Sequence, residues 1–493
     1  DTIKARKVYQ GWTKPDEFDQ NMVVIGAGSA GLVTSLIGAT VNAEVTLIER
    51  HKMGGDCLNT GCVPSKAILK SAKVAQLQHR AQELGLQKVD VEFDFAEVMD
   101  RVKRAVATVE PHDSIERYES LGVNCVTGDA KITSPWTVEV NGETIRTKNI
   151  VIATGARPFV PPIIGIDQVD YLTSDTLWDI REQPKRLIVL GGGPIGSEMT
   201  QAFQRLGTQV IQIERSERLM SREDPEVSEM VQEQFRKEGV DLRLEHDAKE
   251  VKLVDGNPVL ICEHNGQTVE VPFDRILVAV GRTANVKGFG LEELGITLTD
   301  RRTVETNEYL QTKYPNILAA GDVAGPFQFT HTAAHQAWYA SVNGLFGRFW
   351  KFKADYSVIP WATFAEPEVA RVGLNEQDAK AQGIEYEVTR FDIAELDRAI
   401  ADEEAHGLVK VLTVPGKDKI LGVTFVGDHA GDLIAEFVLA MKNGLGLNKI
   451  LGTIHIYPTL AESTKYAAGE WKKAHKPEKV LELLKRFHKW ERS

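Results

Sequence analysis

The stretch Asn21-Met-Val-Val-Ile-Gly-Ala-Gly-Ser-Ala-Gly-Leu-Val33 decides the fold. An apolar run of strand character stops at Gly26, and Gly26, Gly28 and Gly31 stand in the spacing G-x-G-x-x-G ahead of residues suited to a helix. The first glycine permits a tight turn, the second lets backbone approach a pyrophosphate, and the third lets the helix pack close on the strand. The start of that helix presents partial positive charge to phosphate. A second strand, Glu44-Val-Thr-Leu-Ile-Glu49, follows, and Glu49 at its end can accept both hydroxyls of a ribose. Together these form a βαβ unit opening a parallel sheet.

The same grammar returns about 165 residues later in Leu187-Ile-Val-Leu-Gly-Gly-Gly-Pro-Ile-Gly-Ser-Glu198, where Gly191, Gly193 and Gly196 make a second fingerprint. Val210-Ile-Gln-Ile-Glu214 is its second strand, and Glu214 suits an unphosphorylated ribose. Arg215 and Arg218 follow, and such a cation cluster can instead pair with a 2′-phosphate. NADH is therefore favoured, with NADPH as the second choice. Arg275-Ile-Leu-Val-Ala-Val-Gly281 resembles Asn149-Ile-Val-Ile-Ala-Thr-Gly155, which points to duplication of a nucleotide-binding half. Thr154, Gly155 and Gly281, at these strand ends, join the cofactor-binding set.

Two fingerprints imply two dinucleotides, and the usual redox partner of a nicotinamide is a flavin. Asn316-Ile-Leu-Ala-Ala-Gly-Asp322 fits: a buried strand ends on Asp322, whose carboxylate can bind a ribityl hydroxyl. Thr330-His331 can begin a helix aimed at the flavin ring, where its dipole favours negative charge. FAD is the expected resident cofactor.

Composition agrees. The chain has 493 residues, 42% apolar and 26% charged, with net charge −12. Length suggests three or four domains. The acidic balance argues against nucleic acid as the main partner, and no apolar run has the ~18 residues of a membrane helix. Four cysteines, Cys57, Cys62, Cys125 and Cys262, are too few for a disulfide scaffold. They also lack the second close pair or Cys/His cluster of a zinc site, so no metal centre is expected. Cys125 and Cys262 read as buried strand residues. Residues 66–120 read as helical, and 470–493, rich in Lys and Glu between Val480, Leu481, Leu483, Leu484 and Phe487, as an exposed amphipathic helix.

The redox chemistry lies in Gly54-Gly-Asp-Cys57-Leu-Asn-Thr-Gly-Cys62-Val-Pro-Ser-Lys66. Two cysteines five apart near a helix start can approach closely enough for a disulfide, and the helix N-terminus lowers a thiol pKa. With this string in place, the sequence resembles the flavin-dependent pyridine nucleotide-disulfide oxidoreductases over residues ~21–470, the mercuric reductases and dihydrolipoamide dehydrogenases in particular. The resemblance implies an α/β fold with two Rossmann-like FAD/NAD(P)-binding domains and an α+β dimerisation domain. The expected boundaries are 1–20 lead-in or linker, 21–155 with 275–350 for FAD, 156–274 for NAD(P), 351–470 for dimerisation, and 471–493 for a helical tail. The stretch Pro360–Gly373 falls in the dimerisation part. By the same resemblance Cys62 lies against the flavin as a charge-transfer thiolate and Cys57 meets substrate. Lys66 and Glu198 match an ion pair beside flavin and nicotinamide, and Glu49 and Asp322 match the flavin-binding acids.

The chain departs from the family at His455-Ile-Tyr457-Pro-Thr-Leu-Ala-Glu462. Disulfide reductases place a catalytic His directly before the Pro-Thr pair; here Tyr457 stands there, Glu462 is kept, and His455 lies two residues earlier. A phenol is a poor base at neutral pH. Mercuric reductases also have Tyr near this position but end in a vicinal cysteine pair, whereas no cysteine follows Cys262 here. The expected acceptor is a metal ion, a small disulfide or a quinone-like oxidant, served by a homodimer. The alternatives are a dihydrolipoamide dehydrogenase using His455, a transhydrogenase, or a flavoprotein scaffold. Cytoplasmic placement is expected, at the face of a membrane if the polar first twenty residues join an upstream membrane module.

Overall fold

The computed structural model describes residues 7–493. The opening apolar run forms β1 (Gln20–Ile25), then α1 (Ser29–Thr40) and β2 (Val45–Glu49). The cysteine segment makes α2 (Gly55–Asn59) and α3 (Cys62–Arg80), followed by α4 (Phe95–Val109), β3 (Val123–Thr127) and β4 (Glu143–Ile152). The strands pair in parallel in the order β3-β2-β1-β4, with Ile25 facing Ile48 on one side and Ile152 on the other. Covered on both faces, such a sheet calls for unbroken apolar runs, and Met22, Val23 and Val24 are fully buried.

The second fingerprint repeats the plan. It comprises β5 (Arg186–Leu190), α5 (Pro194–Arg205), β6 (Gln209–Ile213), α6 (Pro225–Lys237), β7 (Asp241–Arg243) and β8 (Arg275–Val278). The parallel order is β7-β6-β5-β8. The chain then returns: β9 (Ile317–Ala319) adds to β4 in the first sheet, and α7 (Thr330–Phe346) packs on α1.

The third region is an antiparallel sheet of β10 (Pro360–Thr363), β11 (Glu368–Gly373), β12 (Glu387–Asp392), β13 (Leu408–Thr413) and β14 (Ile420–Gly427), in the order β10-β11-β14-β13-β12. Helices α8 (Asp397–Ala401), α9 (Ala435–Lys442), α10 (Glu462–Ala474) and α11 (Glu478–Glu491) accompany it. A buried ionic seam joins it to the start of α6. Lys410 Nζ lies 2.5 Å from Asp224 and 2.6 Å from Glu226, and Arg371 lies 3.0 Å from Glu223.

Five expectations change. Residues 275–278 belong to the second sheet, not the first: Ile276, Leu277 and Val278 pair with Ile188, Val189 and Leu190, as β4 pairs with β1. Helix does not run through 66–120. It stops at Arg80, and Asp94 starts α4 anew by accepting from the Ala96 N–H at 2.8 Å. The lead-in is not a free linker over its described part: Val8, Tyr9 and Trp12 pack on the first core, and Tyr9 donates to Asn316 at 2.7 Å. Residues 1–6 of that lead-in lie outside the described residues. Cys262 is buried as expected, but Cys125, in β3, is only half-buried. The tail is two helices, because Pro477 cannot continue α10. No helix among the described residues is long and apolar enough to cross a membrane.

Candidate active site

The first cradle is defined by what it excludes. Gly26 has φ +102°, and a Cβ there would overlap the Ala153 carbonyl; a Cβ on Gly31 would overlap the carbonyl of Gly26 itself. A Cβ on Gly55 would meet the Gly28 Cα at 2.6 Å, so the cysteine segment lies directly on the glycine turn. No side chain caps α1 at Gly28, which leaves its positive end to an anionic ligand. Glu49 holds the rim, its carboxylate accepting from the Ala27 N–H at 2.7 Å and the His51 N–H at 2.8 Å, and each oxygen keeps a further lone pair for a ribose.

Across the cleft, Asp322 follows Gly321, where a Cβ would come within 3.1 Å of Ala30. Burial pushes the Asp322 carboxyl up to about 6, opposed by Arg282 at 3.7 Å. Arg282 also pairs with Asp56 and donates to the Ala156 carbonyl at 2.9 Å. Thr154 Oγ1 donates to the Asn285 carbonyl at 2.7 Å, and Gly155 has φ +64°. A bare backbone cradle, a ribose-facing carboxylate and a buried acid raised by desolvation fit a flavin dinucleotide.

The loop between the cysteines is held from both sides. Asn59 Nδ2 donates to the carbonyls of Met53 and Gly55 at 2.9 Å each, and Trp178 Nε1 donates to the Thr60 carbonyl at 2.9 Å. Both cysteines are free thiols, Cys62 exposed and Cys57 half-buried. They titrate apart. Cys62 falls to about 6 because Cys57 donates a hydrogen bond to its thiolate, helped by Thr330 and by the charge of Lys66 against the opposing effect of burial. Cys57 is pushed up by giving that same hydrogen bond and by burial. Cys62 Sγ and Thr330 Oγ1 are 3.4 Å apart, with Thr330 opening α7. Lys66 Nζ lies 2.9 Å from Glu198 Oε2 and 4.3 Å above the ring of Phe364. The other oxygen of Glu198 accepts from the Phe364 N–H at 3.1 Å.

The second cradle copies the first. Gly191 has φ +119° against the Ala279 carbonyl, and a Cβ on Gly196 would overlap the carbonyl of Gly191. Gly193 has open space around it, and Gly281 has φ +143° with nothing near. Glu214 accepts from the N–H groups of Gly192 and Ser216, both at 2.6 Å. Arg215 is exposed, while Arg218 is taken up by Glu217 and Gln377 at 2.5 Å each.

The C-terminal residues sit elsewhere. Tyr457 is 64% exposed and donates to Asp397 Oδ2 at 3.0 Å. Giving up that hydrogen bond, and the charge of Asp397, raise its phenol further. Glu462 is buried and lies 3.4 Å from the Tyr466 hydroxyl. His455, two residues before Tyr457, is held within its own subunit. Its ring is enclosed, with Nε2 2.9 Å from Glu436 and 3.2 Å from Thr464 Oγ1. His331, expected toward a cofactor, is exposed, stacks on Phe329 at 5.4 Å, and places Nε2 2.7 Å from the Pro360 carbonyl. Among the described residues, no hydrogen bond of Tyr457, Glu462 or His455 reaches Cys57 or Cys62.

Arg282, Thr330, Phe364 and Asp397 were outside the expected set. The first three adjoin quoted motifs: Arg282 follows Gly281, Thr330 precedes His331, and Phe364 lies within Pro360–Gly373. Asp397 carries no local signal.

A family model described as pyridine nucleotide-disulphide oxidoreductase matches residues 20–337, and one for the dimerisation domain of that family matches 359–468. Mercuric reductase of Staphylococcus aureus is 35% identical over 450 residues, covering 91% of this chain and 82% of its own. Dihydrolipoyl dehydrogenase of Chlamydia muridarum is 34% identical over 447 residues, covering 89% and 94%. Among solved structures, the HOCl-induced flavoprotein disulfide reductase RclA of Escherichia coli, as its Cu(II) complex, aligns with TM-score 0.81 at 25% identity, covering 90% of this chain and 98% of that one. LpdA of Mycobacterium tuberculosis aligns with TM-score 0.82 at 26% identity, covering 91% and 99%.

Proposed function

The chain belongs to the pyridine nucleotide-disulphide oxidoreductases, FAD enzymes driven by NAD(P)H, and from that membership we propose that it reduces a thiophilic metal ion at Cys57 and Cys62, with NADH as donor. Bound FAD supplies the two-electron relay between nicotinamide and cysteines. Gly26, Gly28, Gly31, Glu49 and Asp322 would hold it, and Gly191, Gly193, Gly196 and Glu214 the nicotinamide dinucleotide. Glu214 disfavours a 2′-phosphate by charge, and Arg218 is committed to other partners. The hydrogen bond from Cys57, helped by Thr330 and Lys66, keeps Cys62 as thiolate, while Cys57, a thiol at neutral pH, is the group presented to substrate.

The observation that carries the acceptor assignment is the Tyr457–Asp397 hydrogen bond, at 3.0 Å, with His455 bound to Glu436 at 2.9 Å. The position directly before the Pro-Thr pair offers a phenol, and both ring nitrogens of His455 are engaged, Nε2 by Glu436 and Nδ1 3.1 Å from the Thr453 carbonyl. A soft cation binds thiolates without a base. The mercuric reductase of S. aureus is 35% identical over 450 residues, and mercuric ion is the acceptor to test first. Reducing the purified flavoprotein anaerobically with NADH, then adding mercuric ion, lipoamide, a small disulfide or a quinone separately, tests this. Rapid reoxidation by the metal and slow reoxidation by lipoamide is expected. Rapid turnover of lipoamide overturns it.

A further inference from the structure

Helix α11 lies beyond the residues matched by the dimerisation domain. Among the described helices of eight or more residues, it alone buries no residue. Its side-chain pairs are internal: Arg486 with Glu482 at 3.7 Å and His488 with Glu491 at 3.0 Å. Leu483 is 66% exposed and Trp490 72%. A helix of 14 residues without tertiary cover is marginal in water, so this one calls for a covering partner.

The placement of charge says which. On a wheel of 3.6 residues per turn, Val480, Leu483, Leu484, Phe487 and Trp490 share one face, with Leu481 at its margin. Lys479 and Arg486 line one border of that face, and Lys485 and Arg492 the other. Glu478, Glu482 and Lys489 occupy the far side; Glu491, in the last turn, falls within the apolar face, where it pairs with His488. Between Lys472 and Arg492 there are eight Lys and Arg against three Glu, in a chain whose net charge is −12.

We propose that α11 is an interfacial helix that docks the protein on an anionic lipid surface. Its apolar face enters the boundary between headgroups and acyl chains, and the bordering Lys and Arg side chains reach out along it to the phosphates. A second copy of α11 fits less well, because both borders are basic and pairing sets cation against cation. An anionic plane meets both borders favourably.

The test is flotation of the full-length FAD-loaded protein with phosphatidylcholine vesicles and with phosphatidylcholine vesicles containing phosphatidylglycerol. Binding is expected only to the anionic vesicles and weakens as salt rises. The triple variant Leu484→Ser, Phe487→Ser, Trp490→Ser should lose about tenfold or more of that binding with its flavin spectrum and NADH oxidation unchanged. A milder variant, Lys485→Gln with Arg486→Gln, should weaken anionic binding alone. No binding to anionic vesicles, or equal binding by the triple variant, overturns the proposal. So does a fall in oligomeric state on sedimentation of that variant, which would make α11 a self-association helix.

Discussion

Lys66 Nζ stands 2.9 Å from Glu198 Oε2, joining the helix after the cysteines to the helix after the second glycine turn. The two charges act oppositely on Cys62: Lys66 lowers its pKa and Glu198 raises it. The thiolate signal of the reduced enzyme should therefore appear as pH rises through about 6 and vanish below it. Lys66→Met should move that midpoint up, and Glu198→Gln should move it down. A pH titration of long-wavelength absorbance reads both, and shifts of the same sign would defeat the assignment.

The pair is asymmetric in stability as well. Glu198 has a side chain 7% exposed, whereas Lys66 is 39% exposed. Lys66→Met strands a buried carboxylate and should cost about 1–3 kcal/mol, while Glu198→Gln frees a half-solvated amine and should cost less. Urea unfolding of the FAD-loaded variants checks the order.

Cys62→Ser should abolish the long-wavelength band, and Cys57→Ala should keep it. The latter removes the hydrogen bond that most lowers Cys62, so the band's midpoint should rise above about 6. A Cys57→Ala enzyme without the band would exchange the roles of the two thiols.

What the sequence made legible follows from how local each constraint is. Gly26 and Gly31 could be read because the turn forbids any side chain at those positions, and the string from Gly54 to Lys66 because its residues act within a few positions of one another. Residues 275–278 are legible as a strand but not as a member of the second sheet, since an apolar run does not say which neighbour it pairs with. Asp397 was invisible, because its contact with Tyr457 spans 60 residues. The place of the His455 ring is likewise set by a distant group, the Glu436 carboxylate on α9.

Ile454 is 94% exposed and Ile456 78%, flanking His455, whose ring is enclosed, in a segment whose residues 452–458 are otherwise exposed. An exposed apolar segment of this kind marks an interface, and the dimerisation domain contains it. Sedimentation should give a dimer. Ile456→Glu should shift it toward monomer while the flavin spectrum persists, with acceptor turnover lost. Full turnover by the monomer would refute a shared site.

The proposed choice of acceptor rests on Tyr457. Its hydroxyl donates to Asp397, and that bond together with the carboxylate charge holds the phenol above its ordinary range. At neutral pH it can donate a proton but not take one. Acid–base help of the kind dithiol exchange requires contributes about 10²–10⁴-fold. Wild-type oxidation of dihydrolipoamide by NAD should fall short of a dedicated enzyme by a factor in that range. Tyr457→His places an imidazole between two carboxylates, Asp397, now the phenol's acceptor, and Glu462, whose charge already reaches this position. Either can orient the ring by accepting from one nitrogen, leaving the other to act as base. Steady-state turnover with dihydrolipoamide should then rise, with a bell-shaped pH dependence absent from the wild type. If Tyr457→His gains nothing while the dimer and flavin remain intact, the missing base is not what separates this protein from the lipoamide enzymes.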